Sequence, residues 1–167
     1  MKNKIIIDNA LSVDDFKNLE NLILSDNFPW YYKEYQTNQR KDNSYFYHLF
    51  FSNCNINSNH YGILNPILNL IKPISLINVR ANLIINRPNS NSNYHMDTYK
   101  SKNYNYKTAI FYINTNNGYT EFKEDNEKVE SIANRIVIFP AELYHRAVGQ
   151  TDKDRRIVIN FNFYDDD

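Results

Sequence analysis

From residue 75 onwards the sequence consists of short segments in which apolar and polar side chains alternate. In residues 76–86 the odd positions are apolar and the even positions are mostly polar. A period of two predicts a β-strand, and the polar face would be solvated or line a cavity. Further strands are predicted at 107–114, 119–123, 129–132, 135–139 and 155–163. Many short strands at this spacing predict a β-sandwich, a jelly roll or a barrel.

The first 74 residues show a different pattern, with two predicted helices. Ser12 and Asp15 resemble a capping box before apolar residues at helical spacing, which predicts a helix at about 13–25. Asn65 and Pro66 predict a second helix, with Asn as N-cap, that runs to about Ile71. Residues 5–7 predict a short strand, and the aromatic-rich segment 28–51 predicts strands and loops. We expect one domain, with 1–74 as a helical support region and 75–164 as a jelly-roll core.

Charge and cysteine content restrict the partners that we expect. The chain has 19 Lys and Arg against 19 Asp and Glu, which favours neither nucleic acid nor a membrane surface. Cys54 is the single cysteine, so no internal disulfide framework and no cysteine-based zinc site are expected. The apolar run near the start is too short for a signal peptide, and no apolar stretch approaches a membrane span. We expect a cytoplasmic protein, and the sequence leaves the oligomeric state open.

The residues with the clearest chemical pattern are His95, Asp97 and His145. On an extended segment, positions two apart point the same way, so His95 and Asp97 can bind one ion. His145 follows an apolar strand at 136–139 and a turn at Pro140, which places it at a strand end. Two histidines and one carboxylate form the facial triad of non-haem Fe(II) oxygenases, which leaves coordination positions open. These three residues are therefore the candidate metal ligands and catalytic residues.

An arginine near the start of the last strand is a candidate for binding a carboxylate, because its planar fork matches a carboxylate bidentately. Arg156 shares its face with Val158 and two asparagines, whereas Arg155 shares its face with isoleucines and phenylalanines. The partly polar face suits a cavity and the apolar face suits a core. Alternation therefore favours Arg156, with Arg155 as the alternative.

The triplet His95-Met96-Asp97, followed by His145 and Arg156, resembles the H-x-D…H…R pattern of 2-oxoglutarate/Fe(II)-dependent dioxygenases. Residues 108–114, 118–122 and 134–139 are similar to prolyl-hydroxylase-like members, and the chain also resembles small phage-type oxygenases. The resemblance covers about residues 75–164. It departs from the pattern at Ile85, near which prolyl-hydroxylase-like sequences often have a tyrosine.

The resemblance implies a double-stranded β-helix flanked by N-terminal helices, with Fe(II) as cofactor, 2-oxoglutarate as co-substrate and O2 as oxidant. It implies hydroxylation of a substrate coupled to conversion of 2-oxoglutarate to succinate and CO2. By the same resemblance, Tyr112 would help to bind the 2-oxoglutarate carboxylate beside Arg156. The substrate stays open between a protein or peptide side chain, which the resemblance slightly favours, a free amino acid and a nucleobase.

Other interpretations of the same residues remain. A jelly roll could bind a metal or ligand without redox chemistry, and the three ligands could hold zinc in a hydrolase, although no extra general base accompanies them. Arg80 and Asn82 could contact substrate, or Arg80 could be a structural ion-pair partner. The Tyr- and Lys-rich loop 99–107 could cover the site or be a solvated loop. His48 and His60 are expected to be ordinary polar or half-buried histidines.

Overall fold

A computed structural model describes residues 4–34, 44–88, 90–97 and 105–165. The helices are Val13–Leu24 (α1) and Asn65–Ile71 (α2), the second preceded by a 3₁₀ turn at Tyr61–Leu64. The strands are β1 (Ile5–Ile7), β2 (Tyr31–Lys33), β3 (Tyr45–Ser52), β4 (Asn55–Ile56), β5 (Ser75–Ile85), β6 (Asn105–Tyr112), β7 (Tyr119–Phe122), β8 (Lys128–Glu130), β9 (Arg135–Pro140), β10 (His145–Val148) and β11 (Arg155–Asp165). The predicted loop 99–107 falls largely outside the described residues.

The strands form two antiparallel sheets, so the prediction of a mainly β chain with flanking helices is confirmed. The larger sheet has the order β1-β9-β6-β11-β5-β3-β2, with β4 paired to β3. The smaller sheet has the order β10-β7-β8. Tyr112 and Val158 of the larger sheet share a buried cluster with Phe122 and Val129 of the smaller one. The smaller sheet therefore covers one face of the larger sheet.

The two helices cover the opposite face of the larger sheet. Leu19 of α1 and Ile67 of α2 belong to one buried cluster with Phe111, Ile159 and Phe161. The apolar faces of β6 and β11 thus pack under the helices, which removes their side chains from water. Because side chains alternate along a strand, the remaining positions of β5, β6 and β11 face the space between the sheets. This alternation fixes which polar side chains line the interior.

The N-terminal segment contributes strands to the larger sheet as well as helices. β1 pairs with β9, with Ile6 opposite Val137, and β3 pairs with β5, with His48 opposite Ala81. An ion pair of Arg135 with Asp8, immediately after β1, adds a charged contact at this edge. The described part of residues 1–74 thus contributes strands β1 to β4 to the sheet that carries the site, in addition to its helices.

Three local predictions can be compared with the described backbone. Ser12 accepts a hydrogen bond from the Asp15 amide at 3.1 Å, so the N-cap of α1 is as predicted. Asn65 is not the N-cap of α2, because the 3₁₀ turn before it runs directly into the helix. Leu64 occupies the N-cap position and makes no side-chain capping hydrogen bond. The Asn-Asn-Gly sequence at 116–118 is typical of a hairpin turn, but it joins β6 to β7, and these strands lie in different sheets. No helix of the described ranges is long and apolar enough to cross a membrane.

Candidate active site

His95, Asp97 and His145 lie together at the edge of the space between the sheets. One potential ligand atom from each lies within 4.8 Å of the other two. The Nε2 of His95 is 3.7 Å from Asp97 Oδ1, and the Nε2 of His145 is 3.8 Å from Asp97 Oδ2. His145 is the first residue of β10. Its amide donates to the His95 carbonyl at 3.0 Å, and its carbonyl accepts from the His95 amide at 2.9 Å. This isolated bridge holds the two histidines side by side.

Hydrogen bonds fix the tautomer of both imidazoles. The Nδ1–H of His95 donates to the Asn93 carbonyl and that of His145 to the Leu143 carbonyl, each at 3.0 Å. Because a carbonyl only accepts, Nδ1 carries the proton and Nε2 presents its lone pair. Burial lowers the pKa of His145, which favours the neutral ring that a metal needs, although Asp97 opposes this shift. Both rings are therefore prepared as ligands.

The Asp97 carboxylate is oriented by two polar side chains, one buried and one half-buried. Its Oδ2 accepts hydrogen bonds from the Thr108 hydroxyl at 2.6 Å and from the Asn162 amide at 2.9 Å. The Asn162 amide also donates to the Thr108 hydroxyl at 3.1 Å, which ties the two together. These bonds leave Oδ1 free to bind a metal and restrict rotation of the carboxylate. The sequence did not predict this role, and alternation along β11 indicated only that Asn162 shares the face of Arg156.

Arg156 lies deep between the sheets and is 1% exposed, whereas Arg155 is exposed. Its Nε donates to the Ser131 hydroxyl at 2.7 Å and an Nη to the Thr120 hydroxyl at 3.3 Å. It forms no ion pair within the described residues. Burial lowers the pKa of Arg156, yet a guanidinium stays charged. A buried cation without an acidic partner is costly, which indicates that an anion binds here.

Tyr112 and Gly118 shape the surroundings of this guanidinium. The Tyr112 ring centroid lies 5.7 Å from the guanidinium carbon, and its hydroxyl donates to Thr120 at 2.8 Å. Burial raises the pKa of Tyr112, so the hydroxyl stays protonated and can donate. A Cβ at Gly118 would lie 2.9 Å from both Arg156 Cδ and the Val148 carbonyl oxygen. Glycine at 118 therefore makes room for the arginine.

A cavity of about 130 Å³ joins the triad to the arginine. Its walls come from β5, β6, β7, β10 and β11 together with the segment that carries His95. The lining residues are Arg80, Asn82, Ile84, His95, Asp97, Ile110, Thr120, His145, Ala147, Arg156, Val158, Asn160 and Asn162. The structure therefore brings all four predicted polar site residues to one space, and Arg80 and Asn82 face the same space. Tyr112 lies beside it, against Arg156.

An ion-pair network on the outer side of the smaller sheet secures the segment that carries His95. Glu121 Oε2 accepts hydrogen bonds from the Tyr94 hydroxyl at 2.8 Å and from Arg146 Nε at 2.6 Å. The hydrogen bond from Tyr94 is the main reason that the pKa of Glu121 lies below its ordinary value. Since Tyr94 precedes one metal-ligand candidate and Arg146 follows the other, the network fixes both chain segments.

The remaining histidines have structural contacts. His48 is buried, with Nδ1 2.8 Å from the Pro29 carbonyl oxygen and Nε2 2.8 Å from the Ser58 hydroxyl. Both histidines lie near the Phe28 ring, and the His60 ring centroid is 5.7 Å from that of Phe28. Neither lines the cavity, as expected for ordinary polar histidines.

Comparison with known proteins gives structural but no sequence matches. No protein-family model and no curated protein matches the chain. A viral collagen prolyl hydroxylase from Paramecium bursaria Chlorella virus-1 superposes with a TM-score of 0.68 at 13% identity, over 98% of this chain and 96% of its own. An oxidoreductase of the 2OG-Fe(II) oxygenase family from Burkholderia pseudomallei gives 0.72 at 8% identity, over 96% and 84%. The fold is that of the 2-oxoglutarate oxygenases, a double-stranded β-helix.

A third match widens the range of chemistry that this fold supports. The non-haem α-ketoglutarate-dependent epimerase SnoN from nogalamycin biosynthesis has a TM-score of 0.70 at 13% identity, over 98% of this chain and 79% of its own. The structural neighbours thus include one protein named as a collagen prolyl hydroxylase and one named as an epimerase of nogalamycin biosynthesis. Identities this low show the shared fold, and they leave the substrate class undecided.

Proposed function

We propose that this protein is an Fe(II)- and 2-oxoglutarate-dependent dioxygenase that hydroxylates an organic substrate. His95, Asp97 and His145 would hold the iron, and Arg156 with Tyr112 would hold 2-oxoglutarate. The observation that carries the proposal is that one cavity contains both the triad and a buried arginine without an acidic partner. A metal alone would explain the triad, but it would leave the arginine charge without a counter-ion.

The set of ligand atoms fits ferrous iron better than zinc, the alternative metal that the sequence left open. Two neutral imidazole nitrogens and one carboxylate oxygen are the ligands of non-haem Fe(II) oxygenases. Zinc can use similar ligands for hydrolysis, but then a general base must activate water. Among the residues that line the described cavity, Asp97 is the single acid, and it belongs to the triad. The site therefore supports an oxygenase more strongly than a hydrolase.

The arginine end of the cavity fits a carboxylate. Arg156 uses two of its five donors on Ser131 and Thr120, which fixes the plane of the guanidinium. The Tyr112 hydroxyl donates a hydrogen bond to the same Thr120 oxygen and could donate to a bound carboxylate instead. Two of the structural neighbours support this assignment, since the viral hydroxylase was solved with 2-oxoglutarate and SnoN with Fe³⁺ and α-ketoglutarate.

When bound, iron and 2-oxoglutarate supply the oxidising chemistry, in which O2 is consumed and succinate and CO2 are formed alongside a hydroxylated product. The residues of this chain bind and orient. Thr108 and Asn162 hold the Asp97 carboxylate, and Arg156 anchors the far end of the co-substrate. The buried walls of the cavity, such as Ile110 and Val158, exclude water from the space around the reacting groups.

Turnover of 2-oxoglutarate tests the proposal directly. Purified protein with Fe(II) under air should form succinate from 2-oxoglutarate, slowly without the substrate, and anaerobic Fe(II) plus 2-oxoglutarate should give a weak visible charge-transfer band. Metal binding without the band and without succinate would instead establish a metal- or ligand-binding module. Succinate formation that persists in His145→Ala at the wild-type rate would contradict the assignment of the triad.

Arg156→Gln is the matching test of the co-substrate site, with Arg155→Gln as control. Losing one partner of a buried charged pair costs roughly 2–5 kcal/mol, so the Kd for 2-oxoglutarate should rise by about 30-fold to about 5,000-fold. Arg155 is exposed on the neighbouring position of β11, so the same substitution there should leave the Kd unchanged. Equal effects of the two substitutions would show that the arginine assignment is wrong. Calorimetry with the anaerobic iron-loaded protein measures both.

A further inference from the structure

The cavity contains a second arginine, Arg80, that the proposed binding of iron and 2-oxoglutarate does not use. Its Nε is buried and has no hydrogen-bond partner among the described residues. Its guanidinium carbon lies 5.6 Å from the Tyr45 ring centroid, so an aromatic face supports one side of it. No ion pair to Arg80 occurs in the described ranges. The alternative that Arg80 is a structural ion-pair partner therefore has no support there.

Two asparagines beside Arg80 have the same property. Asn82 is the next inward residue on β5, and Asn160 lies opposite Arg80 on β11. The side-chain oxygens of both asparagines are buried and accept no hydrogen bond from the described residues. Leaving buried polar atoms unpaired costs free energy, about 1–3 kcal/mol each. Three such groups on one cavity wall indicate a ligand that provides an acceptor for Arg80 and donors for the asparagines.

The charges that line the cavity give the sign of this ligand. Arg80 and Arg156 are positive, and Asp97 is the single acid among the lining residues. A ferrous ion and doubly charged 2-oxoglutarate neutralise each other, so one positive charge remains in a buried space. A buried charge needs a counter-charge. The remaining ligand is therefore expected to bring one negative charge.

The position of Arg80 fits the substrate better than the co-substrate. Arg80 pairs with Asn160, and Arg156 lies four residues from Asn160 on β11, or roughly 13 Å along the strand. Asn162, which holds the Asp97 carboxylate, is only two residues from Asn160 on the other side. Arg80 is thus attached near the level of the triad, where a reacting C–H bond must lie. The cavity of about 130 Å³ is also small beside typical ligand pockets, so the part of the substrate that enters it should be compact.

We propose that Arg80 binds the carboxylate of the primary substrate and that Asn82 and Asn160 accept hydrogen bonds from its donor groups, so that this substrate is a small carboxylic acid with hydrogen-bond donors, as in a free amino acid. The proposal rests on the proposed function, because it assumes that 2-oxoglutarate occupies the Arg156 end. It departs from the slight preference for a protein side chain that the sequence resemblance gave. The neutral asparagine oxygens would accept hydrogen bonds from an ammonium or hydroxyl group of such an acid.

Proton relaxation of small probes near a paramagnetic ion can test this subsite without turnover. The protein is loaded with Mn(II) in place of iron and saturated with 2-oxoglutarate, and acetate is added as the minimal carboxylate. Acetate bound at Arg80 lies near the ion, so its methyl protons should relax faster than those of acetamide, the neutral control. Arg80→Gln should weaken the acetate effect roughly tenfold or more, since a charge-assisted hydrogen bond is lost.

Matched variants make every outcome decisive. Arg155→Gln should leave the acetate effect unchanged, and Arg80→Lys should retain part of it because the charge is kept. Kd values for Mn(II) and 2-oxoglutarate in Arg80→Gln that match those of the wild type show that the site is still folded. Equal relaxation by acetate in the wild type and Arg80→Gln, or no acetate effect in the wild type, overturns the proposal.

Two further results separate this proposal from neighbouring ones. If Arg80→Gln weakens 2-oxoglutarate binding as strongly as Arg156→Gln does, Arg80 belongs to the co-substrate site and the proposal is wrong. If 2-oxoglutarate does not bind the wild type at all, the proposed function itself fails. A hexapeptide amide with one glutamate is the second probe, and a response to it without a response to acetate would assign the subsite to a peptide side chain.

Discussion

Two buried threonines should affect the affinities of the same cavity for two different ligands, the metal and 2-oxoglutarate. Thr108 on β6 donates its hydroxyl to Asp97 at 2.6 Å, whereas Thr120 on β7 accepts hydrogen bonds from Tyr112 at 2.8 Å and Arg156 at 3.3 Å. Both side chains are almost fully buried, at 0% and 1% exposed. Replacement of either by valine keeps a similar shape and removes the hydroxyl, so the two substitutions are matched controls for each other.

Thr108→Val should weaken metal binding and leave 2-oxoglutarate affinity nearly unchanged. The Asp97 carboxylate would keep its bond from Asn162 at 2.9 Å but would lose the shorter one, so its orientation is less restricted. Loss of a hydrogen bond that orients a metal ligand typically reduces metal affinity about 10- to 100-fold. That factor corresponds to roughly 1.4–2.7 kcal/mol. Competition with a fluorescent chelator measures the metal Kd of the purified variants.

Thr120→Val should produce the opposite pattern. The guanidinium and the phenol would each lose a fixed acceptor, and their positions relative to a bound carboxylate would vary more. A hydrogen bond to a charged group contributes about 1.5–3 kcal/mol, so the Kd for 2-oxoglutarate should rise about 10- to 150-fold while metal affinity is retained. If both variants lower the same affinity, or if Thr108→Val leaves the metal Kd unchanged, the division of the cavity into two subsites is refuted.

Two further substitutions test packing and charge away from the ligands. Gly118→Ala places a methyl group 2.9 Å from Arg156 Cδ and from the Val148 carbonyl oxygen, so overpacking should cost roughly 1–3 kcal/mol by denaturant titration and also raise the Kd for 2-oxoglutarate. An increase in Kd without loss of stability would contradict the packing argument. Asp8 has its pKa held below 3.8 mainly by a hydrogen bond from Arg135, so its contribution is present above pH 4 and lost as the pH falls further. Asp8→Asn should therefore lower the Tm at pH 7, and this loss should become smaller as the pH falls below 4. A loss of Tm that is the same at every pH would exclude this ion pair as the cause.

Much of the site could be predicted from the sequence because strands impose a strict alternation. The two-residue spacing of His95 and Asp97 and the apolar strand before His145 identified the ligand candidates, and alternation along β11 separated Arg156 from Arg155. The structure brings these residues to one cavity, although their binding roles remain predictions. Alternation also placed Arg80 on an inward face, but it could not tell a cavity wall from a solvated surface.

The partners of those residues depend on contacts between distant segments, and no local pattern encodes them. Thr120 and Ser131, which hold Arg156, come from β7 of the smaller sheet and from the position directly after β8. Gly118 lies in an Asn-Asn-Gly sequence that is typical of a hairpin turn, yet in the fold it leaves room for the arginine between the sheets. A turn pattern reports only local backbone preference, whereas the pairing partner of each strand is set by the whole fold.

The sequence by itself determined which residues lie on which face of each strand, since the geometry of an extended chain permits little else. From this followed the three ligand candidates and the arginine proposed to bind a carboxylate. Only the tertiary structure decided that β1 to β4 extend the main sheet, that Thr108 and Asn162 orient Asp97, and that the Arg80 Nε has no hydrogen-bond partner among the described residues. Those features arise where two sheets meet, and the burial there makes unpaired polar groups costly enough to indicate missing ligands.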